Sequence, residues 1–265
     1  MDSPLFRLIL KTFGAAFLLN LLFFSSILSA EEPRFGLWVE SEGTNRPFDT
    51  KEHFERFLEI SESGRFSDLY CQVYRRGRAW FPTLIADDLP YRTALRQGFD
   101  PLKDTIEAVH KKGGRVHAWL NVLRVQFNRD AALFKLYSED APLVDSYGNS
   151  LLSYEIGGSP PGEIRDLVRL GTPGYWLDPS SQKVRSYIVE LVRALVTNYP
   201  ELDGIHLDML RFPMIALTDA NLPIPKPLTF GYSERAKEHF AEYQQITGRT
   251  TVSYTHLTLP TILLV

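Results

Sequence analysis

The chain has 265 residues, 44% of them hydrophobic, and a formal charge of -3 at neutral pH, the profile of an ordinary globular protein of one or two domains. That slight acidity, with no Lys/Arg block interleaved with aromatics, excludes the broad positive footprint of a nucleic-acid binder. A lone cysteine, Cys71, excludes an internal disulfide framework.

Arg7 and Lys11 precede an apolar run from Phe13 to Leu28, and Ser29-Ala30 leads into Glu31-Glu32-Pro33. The layout is that of a signal peptide over residues 1–30 with cleavage after Ala30, so the body of the chain is expected to be secreted or periplasmic. The run also approaches bilayer length, which keeps an uncleaved signal anchor as the alternative.

Four strand-then-helix units follow. Phe35 to Glu40 reads as the first strand, and its helix opens at Asp49 with Glu52 as a capping box and Phe54, Phe57 and Leu58 on one face. Asp68 to Tyr74 is the second strand, placing Cys71 with Leu69 and Val73 on a helix-packed outer face, as a buried hydrophobe rather than a nucleophile. Its helix begins at Asp100-Pro101, carries Leu102, Ile106 and Val109, and stops at Gly113-Gly114.

Val116 to Val122 forms the third strand. Ser180 or Ser181 caps a helix in which Val184, Tyr187, Ile188, Leu191, Val192 and Leu195 repeat at three and four, and Pro200 ends it. Gly204 to Asp208 is the fourth strand; Ser233 opens a fourth helix with Ala236, Phe240 and Tyr243 inward and Gly248 as its stop.

Helix-to-strand links are short, whereas strand-to-helix links are long: Arg75 to Phe99, Leu123 to Pro179 and Met209 to Tyr232. Long loops gathered on the carboxyl side of alternating units predict an α/β fold of the (β/α)8 TIM-barrel type. A doubly wound open sheet is the runner-up, without the Gly-rich phosphate turn that such a fold often keeps. Eight units close a barrel and only four are legible over residues 31–249, so the chain is expected to be the first half of one, a fragment.

Beyond it, Val252-Ser253-Tyr254-Thr255-His256-Leu257-Thr258-Leu259-Pro260-Thr261 resembles one reading frame of a transposon-end adapter used to build sequencing libraries. Residues 250–265 are therefore expected to be non-native, and His256 carries no functional expectation.

Strand alternation turns Gly36, Trp38 and Glu40, then Tyr70, Gln72 and Tyr74, then His117, Trp119 and Asn121, then His206 and Asp208 toward the barrel interior. Asp208, an acid at the carboxyl end of a strand, is the candidate catalytic residue; its bland alternative is a loop cap. Trp38, Glu40, Gln72, Tyr74, Trp119, Asn121, His206 and Arg211 are candidate substrate-binding residues, because aromatic faces with amides and carboxylates suit sugar rings. The tryptophans could equally fill the interior, Glu40 could pair with Arg75 or Arg211, and His117 and His206 read as hydrogen-bonded interior histidines. No metal or other cofactor is expected: there is no HxH, and His206 with Asp208 leaves further ligands unnamed.

The stretch from Asp203 through Leu207, Asp208, Met209, Leu210 and Arg211 to Pro213 resembles the glycosyl hydrolase-like 10 family of bacterial exported proteins. Supporting motifs are Phe35-Gly36-Leu37-Trp38-Val39, Gln72-Val73-Tyr74 with Phe81-Pro82-Thr83, His110-Lys111-Lys112-Gly113 before His117-Ala118-Trp119-Leu120-Asn121, and Trp176-Leu177-Asp178-Pro179. The resemblance implies a TIM-type barrel related to glycosidases, with Asp208 as the matching acid. Met209 and Phe212 depart from it, standing where tyrosines are commoner.

Glycosidases use two carboxylates; the second is expected on a later strand, in the part of the barrel beyond these four units, and Asp178 is a weak internal substitute better suited to a helix-entry loop. The expectation is an exported glycoside hydrolase acting on a polysaccharide or oligosaccharide, with Asp208 as nucleophile or general base and Arg211 holding its charge or a substrate hydroxyl. The alternatives are a carbohydrate-binding barrel that does not cleave and, third, a metal-dependent hydrolase using His206 and Asp208.

Overall fold

In the computed structural model, residues 34–64, 66–137, 140–218 and 226–248 are described. The leader expected over 1–30 and the adapter-like stretch over 250–265, with His256, lie outside them. Among the described residues no helix is long and apolar enough to cross a membrane.

β1 (Gly36–Val39) leads through α1 (Lys51–Ser63) to β2 (Asp68–Arg75), on which β3 (Arg78–Ala79) folds back antiparallel. Helices α2 (Leu89–Arg96) and α3 (Pro101–His110) precede β4 (Arg115–Asn121). The long connection after β4 carries β5 (Arg124–Gln126), α4 (Ala132–Tyr137), β6 (Val168–Leu170) and β7 (Tyr175–Trp176) before α5 (Gln182–Asn198). β8 (Gly204–Asp208), β9 (Ile215–Leu217) and α6 (Glu234–Thr247) complete the order.

Strands β1, β2, β4 and β8 lie side by side in that order, each parallel to the next. Spatial order equals chain order with helices in every crossover, which is the wall of a (β/α) barrel. The barrel is partial: among the described residues β1 and β8 are each paired on one side only.

Local chemistry sets most boundaries. Asp100 accepts from the Leu102 and Lys103 amides ahead of Pro101, and Ser181 accepts from the Val184 amide, so both caps fall where hydroxyl or carboxylate precedes helical spacing. The cap of α1 is Thr50, which accepts from the His53 amide; the Asp49–Glu52 capping box is not formed, because the chain turns helical one residue later. Asp49 instead pairs with Arg46 over 2.6 Å. The sequence pattern missed α2, which lies inside the long connection after β2.

On the outer face, Leu69, Cys71 and Val73 of β2 and Val116, Ala118 and Leu120 of β4 are buried with Phe54, Phe57, Leu102, Ile106, Val184, Ile188 and Leu191 from the helices. Burial raises the Cys71 thiol to about 12, consistent with an inert packing role. α6 has its Ser233 and left-handed Gly248 caps, yet none of its residues is buried. The inward side expected for Ala236, Phe240 and Tyr243 is only partly covered: Ala236 and Phe240 are half-buried, whereas Tyr243 is exposed.

At the amino-terminal end of the sheet, Asp203 bridges the His110 imidazole and the Val116 amide, each over 2.8 Å. Asp68 receives Arg115 Nε at 2.7 Å and His117 Nε2 at 3.1 Å. These contacts fix the end remote from the long loops.

Candidate active site

The parallel register stacks inward side chains in layers. Trp38, Tyr70, His117 and Gly204 are register partners in one; Gln72, Trp119 and His206 in the next; Asn121 and Asp208 in the last. Trp38 stacks on Tyr70 at 4.5 Å and Tyr70 on His117 at 4.7 Å, while Trp119 and His206 meet the Trp38 ring edge-on at 4.9 and 4.7 Å. A Cβ on Gly204 would lie 2.7 Å from His117 Nδ1, so only glycine fits beside that imidazole.

Trp119 is 9% exposed, and its indole Nε1–H donates to Asp208 Oδ2 over 3.0 Å. Asp208 Oδ1 accepts from the Met209 amide at 2.6 Å, and the Asp208 carbonyl accepts from Val122 at 3.0 Å. Met209 has φ +55°, a left-handed conformation uncommon for any residue but glycine, and it turns the backbone directly after the acid. The carboxylate is thereby held at the carboxyl end of β8 by donors from a neighbouring strand and from its own turn.

Trp38 is 48% exposed although it stacks on Tyr70 and meets Trp119 and His206 edge-on. A groove of about 690 Å³ runs past it between β1 and α1, lined also by Glu40, Arg56 and Phe57; Asp208 does not line it. Glu40 pairs with Arg75 at 3.4 Å, as one of its expected alternatives had it.

Gln72 is 1% exposed, accepts from Ser41 and Arg75 and donates to Asn121 Oδ1 over 3.3 Å. Its amide is used inside the protein, where it positions Arg75 and Asn121. Tyr74 requires correction. A bulge between Gln72 and Tyr74 leaves Val73 extra, so Tyr74 pairs with Leu120 and turns to the outer face, where its hydroxyl meets Tyr187 of α5 at 3.1 Å. It is fully buried and does not face a sugar.

Arg211 places its guanidinium 5.3 Å from the Trp176 ring and donates to the Phe212 carbonyl. Asp178 is buried and accepts from the Ser180 amide and hydroxyl and from the Ser233 hydroxyl, tying together the entries of α5 and α6. That is the helix-entry role expected of it.

Two charged residues of the mouth escaped the sequence pattern. Glu42 is nearly buried and accepts from Arg78 at 2.9 Å and Arg76 at 3.4 Å, with Arg75 Nε at 3.8 Å. Arg124, half-buried on β5, donates from Nε and Nη2 to the Pro173 carbonyl. Burial first, then the neighbouring Arg75 and Arg211, lowers its pKa, partly offset by Asp208. Among the described residues no group of three or more His, Cys, Asp or Glu side chains is placed to hold a metal ion.

The family model for glycosyl hydrolase-like 10 matches residues 34–257. The chain belongs to the glycosyl hydrolase-like 10 family. Glycosyl hydrolase DigH of Escherichia coli strain K12 is 29% identical over 143 residues, 53% of this chain and 30% of that protein. Glycosyl hydrolase YngK of Bacillus subtilis strain 168 is 24% identical over 185 residues, 66% of this chain and 31% of that protein. The chain thus matches less than a third of the length of either relative. Among solved structures, alpha-L-fucosidase isoenzyme 2 from Paenibacillus thiaminolyticus superposes with a TM-score of 0.44 and 20% identity, over 66% of this chain and 23% of that one.

Proposed function

We propose that the protein is an exported glycoside hydrolase that acts on a polysaccharide or oligosaccharide, with Asp208 as nucleophile or general base. The observation that carries this reading is the Trp119–Asp208 hydrogen bond at the carboxyl end of β8, because barrel enzymes assemble their chemistry at that end. Membership of the glycosyl hydrolase-like 10 family supports it.

An oxocarbenium-like transition state gains from a carboxylate fixed beside the anomeric carbon. Trp119 and the Met209 amide each take one lone pair of Asp208, which fixes the rotamer and leaves further lone pairs for a sugar carbon or a water. Trp38, about half exposed, offers indole surface for a sugar ring, Asn121 and His206 stand beside the acid in the register, and Arg211 contributes charge at the rim. The second carboxylate decides the outcome at the anomeric carbon: about 5 Å of separation gives retention and roughly 6.5–9.5 Å inversion.

Asp208→Asn tests the assignment by reducing-end release from polysaccharides. Hydrolysis should disappear while saccharide binding persists; turnover that survives the substitution overturns the assignment.

A second reading, glycan binding without cleavage, is favoured by the exposed Trp38–Tyr70 stack. It expects affinity that responds to Trp119→Ala and not to Asp208→Ala, with no reducing ends released. The metal-dependent alternative lacks a third ligand beside His206 and Asp208 among the described residues.

A further inference from the structure

The mouth of the partial barrel is richer in arginine than a neutral sugar requires. Arg75 is already balanced, since it pairs with Glu40 and lies near Glu42. Arg124 and Arg211 are different: among the described residues neither has a carboxylate within ion-pair distance. Their hydrogen bonds go to neutral acceptors, the Pro173 carbonyl for Arg124 and the Phe212 carbonyl and Met209 sulfur for Arg211.

The fold brings these two guanidinium groups to one place. Arg124 on β5 is the register partner of Trp176 on β7, and the Arg211 guanidinium lies over the Trp176 ring. β5 begins three residues beyond Asn121, and Asn121 is the register partner of Asp208. Arg124 feels the charges of Arg75, which Glu40 already pairs, and of Arg211 and Asp208. Two half-buried cations share this corner with one carboxylate, leaving a surplus positive charge where water is partly excluded. Like charges so placed repel, and an incoming planar anion relieves the repulsion while using the forked donors that guanidinium groups present.

We propose that Arg124 and Arg211 form a carboxylate-recognition subsite beside Asp208, so that the saccharide taken by this protein carries a carboxyl group on a sugar near the scissile bond. The inference rests on the glycosidase reading of the same site and adds a substrate class to it. Arg124 acts here as a specificity residue. A role limited to supporting the charge of Asp208 would make no distinction between acidic and neutral glycans.

The test uses the full chain and a panel of acidic polysaccharides, polygalacturonate, alginate and hyaluronate, each beside its carboxyl-reduced counterpart. Binding is read by affinity electrophoresis at low and high salt, and turnover by reducing-end release. At least one acidic glycan should bind about tenfold or more tightly than its reduced form, a preference that salt weakens. Arg124→Gln should bring that ratio close to one, and Arg124→Lys, which keeps charge without the fork, should leave an intermediate ratio; circular dichroism establishes that both variants are folded.

Equal binding of every acidic and reduced pair overturns the proposal. So does a preference that persists in folded Arg124→Gln, or a variant in which only the pH profile of turnover moves. Asp208→Asn separates the two readings: it should abolish turnover and keep the acidic preference. Turnover that resists Asp208→Asn counts against the glycosidase assignment, and a missing preference with Asp208-dependent turnover counts against the carboxylate subsite alone.

Discussion

Trp119 and Asp208 stand on adjacent parallel strands, one register layer apart, and meet through an indole N–H to carboxylate hydrogen bond of 3.0 Å. An indole can only donate, so the bond fixes which oxygen of Asp208 is engaged and how the carboxylate is turned. Trp119→Phe keeps a ring in the layer and removes the donor. A hydrogen bond to a charged group contributes about 1.5–3 kcal/mol, so kcat should fall by roughly ten- to a hundredfold with KM little changed. Steady-state kinetics of the variant beside a thermal melt check this; a fall in melting temperature with unchanged kcat would mean that Trp119 only packs.

Gly204 and His117 make a second, steric relationship. A methyl group at Gly204 would press on His117 Nδ1 at 2.7 Å, and the imidazole is held from its other side by Tyr70 stacking and by Asp68. Gly204→Ala should destabilise the protein by about 1–3 kcal/mol, the usual cost of overpacking. His117→Ala in the same molecule opens the space, so urea denaturation should show the double variant to be less destabilised than the sum of the singles.

Tyr74→Phe addresses the face to which the bulge turns β2. Loss of the Tyr187 contact should lower stability by about 0.5–1.5 kcal/mol and leave saccharide affinity unchanged. An affinity change measured by titration calorimetry would return Tyr74 to the inner face.

The amino-terminal end of the sheet titrates with acid. Burial raises the Asp203 carboxyl, but the bonds from His110 and the Val116 amide outweigh it and hold the group below the ordinary carboxylate range. A depressed folded pKa contributes stability above the unfolded value, near 4, and that contribution is lost as pH falls through the folded one. Asp203→Asn should therefore be less stable than the parent at pH 6–7, with the gap closing below about pH 4. Melting temperatures of the two proteins across that range are the check; a constant gap would assign the difference to geometry rather than to charge.

The strand of Asp208 is fully legible in the sequence, because a short alternating run bounded by Pro200 and a turn has one way to sit in a parallel wall. α3 and α5 are equally legible, since Asp100-Pro101 and Ser181 place caps beside strong helical spacing. Tyr74 is not, because a bulge inserts one residue and reverses alternation without any mark in composition. The inner side of α6 is less covered than its spacing suggests, because periodicity shows which side of a helix is apolar, not how much packing stands opposite. Glu42 lies on an irregular connection and Arg124 on a three-residue strand inside a long one, too short for period two to assign a direction, so only the folded chain brings their charges together.

The central claim is that Asp208 meets the anomeric carbon of a bound sugar, and a crystal structure of Asp208→Asn with an oligosaccharide across the mouth measures that directly. The account predicts an oxygen or nitrogen of the substituted side-chain amide about 3–3.5 Å from an anomeric carbon, or separated from it by one water, with Trp119 still in contact. A saccharide seated on Trp38 whose anomeric carbons all lie beyond reach of position 208 would contradict it.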